Sequence, residues 1–68
     1  MTLEEVMVRR GLTPDTLAAA MDVPRETVVG WLCHRKRMHR NRYGRLMAVL
    51  GIDGKGLRDL LPDLRRKL

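Results

Sequence analysis

A run of basic side chains in the middle of the chain supplies the residue types that bind phosphate. Between Thr27 and Ile52 there is no Asp or Glu. The six basic residues of this segment are Arg35, Lys36, Arg37, Arg40, Arg42 and Arg45. The other eight basic residues are balanced by eight acidic ones, so the net charge of +6 resides in this segment. Because guanidinium groups bind phosphate oxygens through forked hydrogen bonds, the run predicts a polyanionic partner.

The residues just before this run have the apolar spacing of two short helices joined by a tight turn. The side chains expected to be buried between them are Leu17, Ala18, Met21, Val23, Val28, Trp31 and Leu32. The second of these helices, residues 25–33, would leave four residues facing outward: Arg25, Glu26, Val29 and Gly30. An exposed helix followed by a cationic loop, residues 34–42, has the arrangement needed to enter a groove of double-stranded DNA.

Capping signals place two helices ahead of residue 25. Thr2 and Glu5 have the spacing of a capping box, in which each side chain satisfies an amide of the first turn. Thr13 is the predicted N-cap of the next helix, and Pro14 occupies its first position, where a missing N–H costs nothing. Three short helices are therefore expected before the basic loop.

Two further helices are predicted after the loop. One spans about residues 41–50 and ends at Gly51, and the other spans about residues 54–61 behind the N-cap Asp53. Pro62 lacks the amide that the helical ladder needs, so the apolar stripe should kink or restart there. The sequence predicts an all-α fold, a compact five-helix bundle forming a single domain over residues 1–68.

A longer pattern of small and apolar residues runs from about residue 3 to residue 61. Its members are Gly11-Leu12-Thr13, Leu17-Ala18, Val23, Val28, Trp31-Leu32 and the stretch from Leu46 through Gly51-Ile52. This order resembles the lambda repressor and Cro-like (Xre-type) helix-turn-helix family of bacteria and phages. The resemblance implies a lambda-repressor-like DNA-binding domain whose helix-turn-helix presents residues 25–33 to the major groove.

The resemblance also implies which positions of that helix read bases: Arg25, Glu26, Val29 and Gly30. The Arg25 fork suits guanine O6 and N7. Glu26 could accept from cytosine N4 or merely favour the positive helix end, and Val29 could touch a thymine methyl or belong to the core. Gly30 could admit a base pair or pack against a helix. The phosphate contacts expected are Thr13, Thr27, Arg35, Lys36, Arg37, Arg40 and Arg42.

Two positions depart from the family pattern. Asp22 stands in the turn where the family most often has Gly, and Asp tolerates the left-handed conformation better than most residues. Pro24 stands where a Ser or Thr cap is common, which removes a capping hydroxyl. Both changes preserve the fold, and together they predict a docking angle for helix 25–33 that differs from that of its relatives.

Relatives in this family mostly bind DNA as two-fold dimers, and we expect a homodimer here. The predicted contact between the copies is a leucine stripe in a dimerisation tail, residues 57–68. Its members are Leu57, Leu60, Leu61, Leu64 and Leu68. The alternative is that the stripe packs internally against the first helix.

The function predicted from these features is sequence-specific regulation of transcription, by a repressor of the phage or mobile-element type. One alternative is an antitoxin, which would bind a toxin protein and its own promoter. Another is a basic RNA-binding protein, although the chain offers no aromatic platform for stacking bases. We expect no enzyme and no small-molecule substrate, because the chain has no Ser, its lone thiol lacks an orienting group and its carboxylates do not cluster.

The remaining reactive side chains are Cys33, His34 and His39, which lack a second pair of metal ligands. We therefore expect no metal or other cofactor, a half-buried thiol, and histidines that are solvated or face phosphate. A single cysteine, no signal peptide and no apolar run of about 18 residues predict a cytoplasmic protein without a membrane partner.

Overall fold

Five α-helices and one 3₁₀ turn account for the regular structure of this computed structural model, which describes residues 1–67. The helices are α1 (Leu3–Arg9), α2 (Pro14–Met21), α3 (Arg25–Leu32), α4 (Tyr43–Leu50) and α5 (Gly54–Arg65), with the 3₁₀ turn at Arg40–Arg42. No strand occurs in the described residues, so the predicted all-α class is confirmed. None of the described helices is long and apolar enough to cross a membrane.

The helices begin at the residues whose side chains can satisfy free amides. Thr2 accepts a hydrogen bond of 3.2 Å from the first turn of α1, and Asp53 accepts one of 2.8 Å from the first turn of α5. Thr13 and Thr16 form a reciprocal pair, in which each hydroxyl accepts the other residue's amide. These three predicted N-caps are confirmed, since each side chain replaces a helical partner that the first turn lacks.

The link between α2 and α3 is a turn of three residues whose geometry follows from their types. Asp22 ends α2 in the left-handed conformation, with φ 57° and ψ 47°. Pro24 precedes α3 in an extended conformation and provides no side-chain cap. The expected left-handed Asp22 and the lost capping hydroxyl at Pro24 are both confirmed.

One apolar core joins all five helices. Helix α2 packs against α3 and α4, and α5 packs against α1 and α4, within a globule of 27 × 24 × 21 Å. The buried side chains are Leu3, Val6, Met7, Leu17, Ala18, Met21, Val28, Trp31, Met38, Leu46, Leu50, Leu60 and Leu64. Val23 and Leu32, which we predicted to be buried, are partly buried at the edge of this core.

Helix α5 continues through Pro62 to Arg65, which corrects the predicted end near residue 61. Leu60 and Leu64 are buried on either side of the proline, so core packing maintains the helical path. Arg58, whose carbonyl would have received the missing amide, is exposed together with Pro62. Water can therefore satisfy that carbonyl, which limits the cost of a proline inside the helix.

Two residues of the leucine stripe, Leu60 and Leu64, are buried inside the molecule, which corrects their prediction as dimer-interface residues. Leu60 and Leu64 are 0% and 3% exposed and contribute to the core, where α5 meets α1 and α4. Leu57 and Leu61 are partly buried against the same core. The predicted interface residue Leu68 lies outside the described residues. The side chains of Leu60 and Leu64 therefore have no surface to offer a second copy, as the internal-packing alternative supposed.

Candidate functional site

A shallow groove runs between the outer face of α3 and the loop that follows it. Its lining residues are Arg25, Glu26, Val29 and Gly30 from α3, and Arg35 and Lys36 from the loop. Arg25 and Glu26 are exposed, and Val29 is half-buried. The groove thus brings three cationic side chains and one carboxylate together on one surface.

The loop reaches this groove because the chain folds back onto α3. His34 takes the left-handed conformation with φ 61°, directly after the C-cap of α3. The carbonyl of Gly30 then accepts two backbone hydrogen bonds, from Arg35 N–H at 2.8 Å and from Lys36 N–H at 3.1 Å. Both cationic residues are thereby fixed beside the last turns of α3.

Gly30 is buried, which corrects the prediction that it faces outward. A Cβ atom built on Gly30 would lie 3.1 Å from Lys36 Cδ and 3.2 Å from Lys36 Cγ. The aliphatic part of Lys36 therefore covers the glycine. The close neighbour is the basic loop, rather than a packed helix or an open surface.

Arg25 makes an ion pair that connects the first turns of α2 and α3. Its Nε lies 2.9 Å from Asp15 Oδ1, and the two side chains are 59% and 74% exposed. An exposed pair of this kind contributes about 0–1 kcal/mol, so a stronger acceptor can displace the Asp15 carboxylate. The pair was not predicted, although opposite charges in the first turns of two adjoining helices could have suggested it.

The two threonines predicted to contact phosphate lie at the starts of α2 and α3. Thr13 is exposed, and its hydroxyl takes part in the capping box with Thr16. Thr27 is half-buried, and its N–H donates to the carbonyl of Pro24 at 3.0 Å. Because the Asp15–Arg25 contact brings the first turns of α2 and α3 together, the two threonines lie at neighbouring helix ends.

The rest of the basic run is distributed beyond this groove. Arg42 lines a second shallow depression together with His39 and Asn41. Arg45 points a guanidinium nitrogen at the carbonyl of Ala20, 3.5 Å away at the end of α2. Arg37 and Arg40 are exposed. The structure therefore brings only the first two basic residues of the run to the groove of α3.

Met38 anchors the middle of the basic loop in the core. Its side chain is 3% exposed, and its N–H donates to the carbonyl of Leu64 in α5 at 3.1 Å. Met38 was not among the residues predicted to be buried. The signal was available, since Met38 is the one apolar side chain among the basic residues and histidines from His34 to Arg40.

The carboxylate of Asp63 joins three parts of the molecule that are distant in sequence. Its Oδ1 lies 2.8 Å from His34 Nε2, and its Oδ2 accepts the N–H of Leu3 at 2.9 Å. An ionised carboxylate only accepts hydrogen bonds, so the ring Nε2 donates. His34 is therefore engaged within the protein, which corrects the prediction that it is solvated or faces phosphate. His34 and Asp63 are 29 residues apart in the chain, so no local sequence pattern predicts their contact.

The other reactive side chains of this region have simple surroundings. Cys33 is exposed, not half-buried as predicted. His39 is exposed, and its Nδ1 accepts the N–H of Asn41 at 3.2 Å at the start of the 3₁₀ turn. Across residues 1–67, no three His, Cys, Asp or Glu side chains gather where they could hold a metal ion.

The chain matches no model of a known protein family, no characterised protein and no solved structure. The likeness to the lambda repressor and Cro-like family therefore stays a prediction made from the residues quoted above.

Proposed function

We propose that the protein binds double-stranded DNA sequence-specifically and regulates transcription, as a repressor of the phage or mobile-element type. The observation that carries the proposal is the groove in which exposed residues of α3 stand beside Arg35 and Lys36. A helix-turn-helix formed by α2 and α3 would place α3 in the major groove, which is wide enough for an α-helix. The adjoining basic loop would then meet the DNA backbone.

Base reading falls to three residues on the outer face of α3. Arg25 donates its fork to guanine O6 and N7, and the carboxylate of Glu26 accepts from cytosine N4. Val29, half-buried at the edge of the groove, offers a methyl contact to thymine. We leave Gly30 out of this set, because the stem of Lys36 covers it.

Phosphate binding falls to side chains around this helix that carry a positive charge or a hydroxyl group. The proposed set is Thr13, Thr27, Arg35, Arg37, Arg40 and Arg42. All of them except Thr27 are exposed. These contacts fix the register of α3 on the duplex and carry no sequence information themselves.

We further propose that two copies bind neighbouring half-sites, because one module of this size reads too few base pairs for useful specificity. Leu60 and Leu64 of α5 are buried in the core, so their side chains are not available to an interface. In this proposal the two copies come together when they bind adjacent half-sites on the DNA, and not in free solution. A footprint with two protected segments roughly one helical turn apart, at two proteins per duplex, is the expected result.

Selection from a pool of randomised duplex DNA tests the proposal. The wild-type protein should enrich a short core sequence, and the double variant Arg25→Met with Arg35→Met should enrich none. The matched control is the double variant Lys55→Met with Arg58→Met, which removes the same charge from exposed positions of α5. That control should select the same core as the wild type. Failure of the wild-type protein to enrich any sequence would contradict the proposal.

Competition separates the two alternative functions. Duplex RNA or single-stranded RNA should fail to displace the selected DNA at matched salt, and efficient displacement would favour an RNA-binding protein. An antitoxin would bind DNA as well, so binding does not distinguish it. Co-purification of a stoichiometric second protein from its native cell would identify that function instead.

A further inference from the structure

Lys36 occupies the place on α3 where a side chain of residue 30 would otherwise stand. Its Cγ and Cδ lie within 3.2 Å of the position that a Cβ on Gly30 would take. Its backbone N–H is bound to the Gly30 carbonyl at 3.1 Å, so both the backbone and the stem are held against the helix. The ammonium group is two bonds beyond Cδ and therefore lies close to the surface of α3 at Gly30.

We propose that Lys36 reads a base in the major groove, acting from the loop as the missing side chain of position 30. This inference rests on the proposed DNA-binding function and names a specificity-determining residue of the same site. A lysine ammonium donates to guanine O6 and N7, so the base that Lys36 selects is a guanine.

The placement of Lys36 distinguishes it from the other cations of the loop. Lys36 lines the same groove as Arg25 and Glu26, the two exposed residues of the first turn of α3. Arg37, the next residue, is exposed and does not line that groove. A cation fixed beside the base-reading side chains contributes to sequence preference, whereas a cation elsewhere on the loop contributes to affinity for any sequence.

Gly30 is required for this arrangement. An alanine at position 30 would place its methyl group 3.1–3.2 Å from the Lys36 stem, closer than ordinary van der Waals contact, so the stem has to shift. The atoms that must move belong to a flexible side chain, so the fold tolerates the change. Gly30→Ala should therefore displace the ammonium group and leave the protein folded.

The variants Lys36→Met and Arg37→Met test the proposal against the same randomised duplex pool. Methionine keeps a stem that can cover Gly30 and removes the charge. With Lys36→Met, the preference for guanine should fall about fivefold or more at one position of the core, the factor expected for one base contact. With Arg37→Met, affinity should fall alike for every sequence, and the salt slope should decrease by about 0.9.

Gly30→Ala should weaken the preference at the same position as Lys36→Met, and the double variant should show no additional loss there. Thermal unfolding of each variant verifies that it is folded. If Lys36→Met lowers affinity uniformly, as Arg37→Met does, Lys36 is a phosphate contact and this inference is wrong while the proposed function stands. If the wild-type protein selects no DNA sequence, both fail together.

Discussion

At the scale of single residues, the Arg25 guanidinium would have two competing acceptors in the proposed DNA complex, the Asp15 carboxylate and a base. The carboxylate lies 2.9 Å away, but more than half of each side chain is exposed to water. Such a pair contributes about 0–1 kcal/mol, whereas a forked contact to guanine contributes about 1–3 kcal/mol of discrimination. Guanine should therefore displace the Asp15 carboxylate when DNA binds. In the free protein, the ion pair should hold the Arg25 guanidinium near the groove.

Arg25→Met should therefore lower affinity for the selected duplex by about 5- to 150-fold, equivalent to 1–3 kcal/mol. The free energy of unfolding should change by less than about 1 kcal/mol, because only a surface pair is lost. Fluorescence anisotropy with labelled duplex measures the affinity, and urea titration measures the stability.

The substitution Asp15→Asn provides a control of opposite sign. It releases Arg25 without removing it and takes a negative charge away from the DNA, so affinity should be equal to or higher than that of the wild type. Arg58→Met, an exposed charge on α5, should leave affinity nearly unchanged. Equal losses for Arg25→Met and Arg58→Met would contradict a base contact by Arg25.

At the scale of elements, the basic loop is held in place by contacts with α5. Met38 inserts its side chain into the core, and its N–H binds the Leu64 carbonyl. In the last turn of α5, Asp63 binds His34 at the start of the loop and the first amide of α1. The C-terminal helix thus fixes both the N-terminus and the loop that the proposed function needs.

Asp63→Asn should lower the free energy of unfolding by about 1–3 kcal/mol, because an amide NH₂ would face a donor that the carboxylate oxygen now accepts. Urea titration at pH 7 measures the loss. Amide hydrogen exchange at Leu3 should accelerate in the same variant, since that N–H is bound to Asp63 Oδ2.

The matched control is Asp59→Asn, an exposed position one turn earlier on the same helix. Its effect on the free energy of unfolding should stay within about 0.5 kcal/mol, as for most surface substitutions. Equal effects of the two substitutions would mean that the Asp63 contacts contribute nothing to stability.

How much could be predicted from the sequence depends on the range of the interaction. The caps at Thr13 and Asp53 and the left-handed Asp22 involve residues within three or four positions, so residue type alone indicates them. The His34–Asp63 contact and the fold-back of Lys36 onto Gly30 depend on how the whole chain packs. Of the four residues predicted to face outward on α3, Arg25 and Glu26 are exposed, Val29 is half-buried, and Gly30 is covered by the Lys36 side chain.

The course of α5 was beyond local reasoning for the same reason. Pro62 favours a helix end when residues are considered one at a time. Burial of Leu60 and Leu64 on both sides of it favours continuation, and that burial exists only once α1 and α4 are in place. Because a small chain has a single core, Leu60 and Leu64 are buried in it, although the sequence pattern alone could equally assign them to a contact with a partner.

At the scale of the whole molecule, Leu64 tests whether α5 belongs to the core or to an interface. Leu64→Asp would bury an unpaired carboxylate where the side chain is 3% exposed. The free energy of unfolding should fall by more than about 4 kcal/mol, which is a large share of the total stability of a domain of this size. Circular dichroism should show a largely unfolded chain.

Leu64→Ala is a milder change at the same position, and it should lower the free energy of unfolding by about 2–5 kcal/mol. Exposed Arg65→Asp, on the next residue, should leave the helical signal intact. A Leu64→Asp protein that stayed folded while losing self-association would instead restore the leucine stripe as a dimer contact.

The distribution of charge over the whole molecule sets how affinity should depend on salt. The excess of +6 lies between residues 27 and 52, and outside that segment the charges cancel. If about four to six phosphates are neutralised by each copy, log affinity should fall against log salt with a slope of roughly −4 to −5 per copy. Titrations of a labelled duplex from low to moderate salt measure this slope.

Removing the charges of Lys55 and Arg58 together, which lie outside the basic segment, should leave the slope unchanged. Removing the charges of Arg37 and Arg40 should reduce it by about two. A slope near zero for the wild-type protein would mean that the basic segment does not meet the DNA backbone, and the proposed function would not survive that result.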